Sequence, residues 1–91
     1  MVLLITYDLN KEPKDYDKLF RAISELGLTR RDPDLDSVWF VSTSYNLKTC
    51  YDHLKKAIDN NDRLMITKLN RGEYEYWLSA DVAYWISSQL S

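Results

Sequence analysis

The chain has little of several residues that chemistry commonly depends on. Its 91 residues include one cysteine, one histidine, two glycines and two prolines. A lone cysteine, Cys50, excludes an internal disulfide and points to a reducing, cytoplasmic setting rather than secretion. One histidine and one cysteine supply no cluster with zinc-ligand spacing. With only Gly27 and Gly72, no Gly-rich loop exists to cradle a phosphate, and no catalytic-triad pattern is present. No apolar run is long enough for a membrane span, and the one that opens the chain has no basic region before it. Repeats, linkers and low-complexity stretches are missing too. So is an excess of positive charge: 12 Lys and Arg stand against 14 Asp and Glu, a net charge of −2. That balance argues against a dedicated nucleic-acid coat, since phosphate binding is mainly a cation effect, but leaves room for a local basic patch.

What is present is a core former's composition, 45% hydrophobic, with seven Tyr, three Trp and two Phe. A chain of this size reads as one domain over residues 1–91, too apolar for disorder. The aromatics exceed the needs of so small a core, and Tyr and Trp are favoured at interfaces. A small domain also leaves much surface wet, so a homodimer is expected.

The first ten residues organise the rest. Val2 to Tyr7 is apolar on both alternating faces, the pattern of a strand in the middle of a sheet, and it stops at Asp8. Pro13 suits a first helical position, and Asp15 and Asp17 a first turn. Tyr16, Leu19, Phe20, Ile23 and Leu26 then form a helical stripe ended by Gly27. Leu28 to Arg31 reads as a short charged edge strand, Asp32-Pro33-Asp34 as a turn, and Ser37 to Ser42 as a second central strand. Asn46 or Ser44 caps a second helix carrying Leu47, Cys50, Tyr51, Leu54 and Ile58. Arg63 to Leu69 is a further strand and Asn70-Arg71-Gly72 a turn. Glu73-Tyr74-Glu75-Tyr76-Trp77 alternates acid with aromatic, as a half-exposed strand does. Ser79 then caps a last helix with Val82, Ile86 and Leu90.

This order predicts an α+β fold, a ferredoxin-like βαββαβ sandwich with an extra C-terminal strand and helix. Strand order 4-1-3-2 follows, with two helices on one face. That topology brings Asp8, Arg30, Arg31, Asp36, Ser37 and Asp62 to one rim.

Tyr7-Asp8-Leu9 closing an apolar strand, then arginines, then Ser37-Val38-Trp39-Phe40 opening another, resembles the small CRISPR-associated adaptation protein. The pattern is similar also to virulence-associated protein D and to stand-alone SinR-family-type proteins. The resemblance covers about the first two-thirds of the chain. It implies a ferredoxin-like homodimer, some of whose relatives are magnesium-dependent endoribonucleases or DNases and others structural partners of an integrase. Carried onto this chain, it implies Mg2+ held by Asp8 residues paired across a two-fold axis. Ser37 would orient water or phosphate, and Arg30 and Arg31 would hold an RNA or DNA backbone. Two departures stand out. Asp32, Asp34 and Asp36 dilute the basic patch, and a helix ends the chain where the family clasps its dimer partner with a strand.

Each candidate also has a plainer reading. Asp8 makes a turn, the arginines are edge charges paired with aspartates, Ser37 is the first polar residue of a strand, and Tyr7 packs. An RNA-recognition-motif platform fails on its signature, because Ser37 to Val41 lacks the glycine and the preceding cation. Tyr74, Tyr76 and Trp77 read as dimer-interface residues on an edge strand. Two functions therefore follow: a metal-dependent nucleic-acid-processing homodimer, or a non-catalytic dimeric module with a protein partner on the same scaffold.

Overall fold

The computed structural model describes residues 1–10 and 16–90. Seven elements follow in the order β1 (Val2–Asp8), α1 (Tyr16–Ser24), β2 (Leu28–Arg30), β3 (Val38–Ser42), α2 (Leu47–Lys55), β4 (Arg63–Leu69) and α3 (Ala80–Leu90). The strands make a four-stranded open sheet, β2-β3-β1-β4, with every neighbouring pair antiparallel. Order and direction are compatible with a ferredoxin-like α+β fold. The expected roles of Pro13 and Asp15 fall outside the described residues, whereas Asp17 does sit in the first turn of α1.

β1 is apolar on both faces because both faces are covered. Leu3, Ile5 and Tyr7 point one way, into a core with Leu19 and Ile23 of α1, Cys50 and Leu54 of α2 and Val41 of β3. Val2 points the other way, with Phe40 and Leu69, against Val82, Trp85 and Ile86 of α3. Side chains alternate along a strand, so one sheet serves two cores. Val2, Leu3, Ile5, Ile23, Val41, Leu54 and Val82 are wholly buried. The arrangement is therefore three layers, with α1 and α2 on one side and α3 alone on the other. Leu47 and Tyr51, expected on the buried stripe of α2, sit on its exposed flank.

Local chemistry sets the boundaries. The Asn46 side chain accepts from Thr49 N at 2.8 Å and caps α2, so Asn46 rather than Ser44 starts it. α1 ends at Ser24, two residues short of the end of its apolar stripe at Leu26. There Leu26 N bonds back to Ile23 O at 3.0 Å, and the chain reaches Gly27, where a Cβ would lie 2.1 Å from the carbonyl oxygen of Ser42. After β4, Glu73 N donates to Asn70 O at 2.9 Å, closing a turn in which Gly72 has φ +82°. His53 of α2 meets Glu25 after α1 at 2.8 Å, across the helix layer.

The extra strand expected at residues 73–78 does not form. That segment crosses without sheet pairing from β4 to α3, and Tyr74 and Leu78 pack onto the α3 core. Its alternation of acid and aromatic is not an alternation of burial: Tyr74 is half-buried, while Glu73, Glu75, Tyr76 and Trp77 are exposed. Ser79 also departs from expectation. Its carbonyl accepts from Ala83 N at 3.0 Å, as an N-cap carbonyl does, but its hydroxyl is buried without a partner among the described residues.

Sheet edges differ sharply. β2 contributes three residues, while β4 pairs with β1 over seven positions and, among the described residues, has no strand on its outer side. No helix among the described residues is long and apolar enough to cross a membrane.

Candidate active site at the end of the central strand

β1 leaves the sheet at Asp8, which is exposed and lies on the α3 side together with Val2, Leu4 and Thr6. Directly across the ladder from it stands Arg63, the first residue of β4. Among the described residues no hydrogen bond or ion pair reaches the Asp8 carboxylate. Thr6, Tyr7, Asp8, Arg63, Leu64 and Met65 line a shallow cleft of about 390 Å³. α3 does not close it, since α3 packs toward the Val2–Leu69 end of the sheet.

Arg63 is held in place by its predecessor. Its Nη1 donates to the carbonyl oxygen of Asp62 at 3.1 Å. The Asp62 carboxylate is 6% exposed and accepts from Asn10 N at 2.7 Å and from Asp59 N at 2.8 Å. It thus ties the chain leaving β1 to the chain beginning β4. Asp62 belongs to the rim as expected, as a structural knot.

Tyr7 faces the opposite layer. Its ring packs against Tyr16 and Phe20, each with centroids 6.0 Å away, and its hydroxyl accepts from Trp39 Nε1 at 3.2 Å. Burial pushes the Tyr7 hydroxyl pKa above its usual value, against the lowering effect of the Trp39 bond. A phenol so placed is a packing group with a satisfied oxygen. Arg31 lies on this same layer, its guanidinium 4.7 Å from the Trp39 ring centroid and 5.1 Å from that of Phe20.

The expected gathering of six residues at one rim is met in part. Ser37 precedes β3, whose first paired residue, Val38, is opposite Thr6, so Ser37 and Asp36 do approach the Asp8 end. Ser37 is not a strand residue, however. It adopts φ +59°, a left-handed conformation that few non-glycine residues take, and turns the chain into β3. Arg30 does not join the rim. It pairs with Phe40, which pairs with Leu4, two strands from β1 and four residues short of Asp8. At standard spacings that is about 10 Å across the sheet and about 13 Å along it. The Arg30 guanidinium sits instead 5.6 Å from the Trp85 ring centroid on α3. Both arginines predicted to grip phosphate are thus stacked on rings, one on each side of the sheet. Among the described residues, the cation across the ladder from Asp8 is Arg63, which the topology alone places opposite the last residue of β1.

Tyr74, Tyr76 and Trp77 were expected to contact a second copy along an edge strand. Without that strand, Tyr74 is half-buried beneath α3, its ring 6.0 Å from that of Tyr76, and Trp77 is 99% exposed. No group of three or more His, Cys, Asp or Glu able to hold a metal occurs among the described residues.

No protein-family model matches the chain, and no solved structure gives a significant match to it.

Proposed function

We propose that this chain is a ferredoxin-like, nucleic-acid-processing homodimer that hydrolyses RNA phosphodiesters with Mg2+ at paired Asp8 residues. One observation carries the reading: a solvent-facing carboxylate with no partner among the described residues ends the central strand, with Arg63 across from it. One carboxylate fits a magnesium ion that keeps most of its waters and takes further oxygens from substrate phosphate. A two-fold axis near Asp8 supplies the second carboxylate, because an isologous contact duplicates every residue. Met65, 65% exposed on the same face of the sheet, would pack about that axis. Magnesium bound there supplies a nucleophilic water at neutral pH and offsets charge on the scissile phosphate.

In this reading Asp8 holds the ion and Arg63 meets a phosphate oxygen through its fork of donors. Ser37, just before β3 at the same rim, orients water or phosphate. The test is a single-stranded RNA incubated with parent and Asp8→Asn proteins, with magnesium and then with chelator. Cleavage by the parent alone, abolished by chelator, is expected. Equal cleavage by Asp8→Asn removes the reading. Thermal stability should hardly change in the variant, since no hydrogen bond among the described residues is lost, so inactivity is not unfolding.

A second reading is favoured by Arg30 and Arg31, whose guanidinium groups already rest on the rings of Trp85, Phe20 and Trp39. It is a non-catalytic dimeric module that binds a protein. Absence of any magnesium-dependent cleavage by the parent, with a protein partner bound, selects it.

A further inference from the structure

The sheet face beneath α3 is not filled to its end. Between α3, the 74–78 segment and the sheet lies a cavity of about 280 Å³, with Leu4, Phe40, Leu69 and Ile86 among its apolar walls. Its mouth is formed by Glu75, Tyr76 and Trp77. Three properties of that mouth bear on what fits. Trp77 is 99% exposed, although a fully solvated indole contributes nothing to folding. The Glu75 carboxylate makes no hydrogen bond or ion pair among the described residues. The connection from Asn70 to Asp81 carries Glu73, Glu75 and Asp81 against a single cation, Arg71. Apolar volume behind, an open carboxylate and π faces in front: these ask for an apolar group carried beside positive charge.

We propose that this cavity is a docking site for a basic segment of a partner protein, which inserts one apolar side chain while its flanking Lys or Arg residues meet Glu75 and the faces of Tyr76 and Trp77. The volume is ample for one aromatic or branched aliphatic side chain. The acidic connection repels nucleic acid, so the site is separate in both place and chemistry from the Asp8 cleft. It stands whether or not that cleft is catalytic.

The probe is the acetylated, amidated peptide Lys-Lys-Phe-Lys-Lys, titrated into the full chain by calorimetry. Glu-Glu-Phe-Glu-Glu and Lys-Lys-Gly-Lys-Lys serve as controls for charge and anchor. Saturable one-to-one binding of the first is expected, with each control at least about tenfold weaker. Glu75→Gln and Trp77→Ala alter exposed side chains and should keep the parent's circular dichroism and melting temperature. Each should weaken the peptide by about fivefold. The proposal is overturned if the three peptides bind alike, or if neither variant weakens binding. It is overturned equally if a short single-stranded RNA displaces the peptide, or if Trp77→Ala converts a sedimenting dimer to monomer, which would give the surface to a second copy.

Discussion

The carboxylate of Asp32 accepts a hydrogen bond from the backbone N–H of Ser79 at 2.7 Å, across a sequence separation of 47 residues. Its other oxygen accepts from Asp34 N at 3.0 Å. A carboxylate from the connection between β2 and β3 therefore sits at the amino end of α3, where orphan N–H groups and the helix dipole favour negative charge. Arg30 grips the same helix through Trp85. One short edge of the sheet thus fastens α3 at two points, which is how a helix with its own core stays on an otherwise bare face.

Acid should loosen that fastening. The Ser79 and then the Asp34 N–H groups hold Asp32 below its ordinary carboxylate pKa of 3.8. A depressed pKa means that the unfolded state binds the proton more readily. The stabilisation is complete above the ordinary value and is lost as pH falls beneath it. Urea unfolding of the parent against Asp32→Ala should give a clear gap at neutral pH that narrows at pH values below the ordinary carboxylate range. A gap independent of pH would contradict the assignment.

Gly27→Ala should destabilise by about 2 kcal/mol or more, because the added methyl meets backbone rather than a movable side chain. The carbonyl of Ser42 would lie 2.1 Å from it. Urea midpoints with an unchanged slope would show the loss as one of stability alone.

Arg31→Ala should cost about 1 kcal/mol, from the loss of contact with two rings. Arg31→Lys should recover little of it, since an ammonium lacks the flat face that stacks on Trp39 and Phe20. The same pair of variants bears on function. If Arg31 only stacks, RNA affinity stays at the parent's level in both.

At the alkaline end, Tyr7 reverses the sign of the Asp32 effect. Its hydroxyl has a raised pKa, so the folded state holds the proton longer, and stability falls as pH rises past the phenol's ordinary value of 10.0. Tyr7→Phe should flatten that fall in denaturation curves. It also leaves Trp39 Nε1 without its acceptor, so the variant starts lower at neutral pH by about 1 kcal/mol.

Strands and helices that bury a regular stripe were legible from residues alone. Val2 to Tyr7, Leu19 with Ile23, Cys50 with Leu54, and Arg63 to Leu69 each fall where spacing puts them, and the sheet order follows from their succession. Misreadings arose where two different environments produce one pattern. Alternation at Glu73 to Trp77 fits a strand edge, yet the same residues form an unpaired connection in which only Tyr74 is half-buried. The sequence stripe on α3 is Val82, Ile86 and Leu90, while in the fold Trp85, 8% exposed, joins Val82 and Ile86 in the core and Leu90 is only partly buried. Asp32 looked like turn chemistry and is that too, through Asp34. Its second bond needs the partner helix to be in place, so no local rule could show it. The rim suffered similarly: register decides which cation faces Asp8, and register is a property of three strands at once.

The two borders of the sheet are unequal in a way that limits what can grow from them. Along β4, which has no strand on its outer side among the described residues, a row of backbone donors and acceptors is available for another extended chain, whereas β2 is too brief to offer a second such row. A sheet extensible on both sides propagates into a fibre; one extensible on a single side stops after one addition, because the newcomer's own receptive border is already used. Two copies meeting along β4 would therefore form a closed pair rather than a filament, an arrangement distinct from the two-fold axis at Asp8, since it would hold the two β1 strands about 14 Å apart.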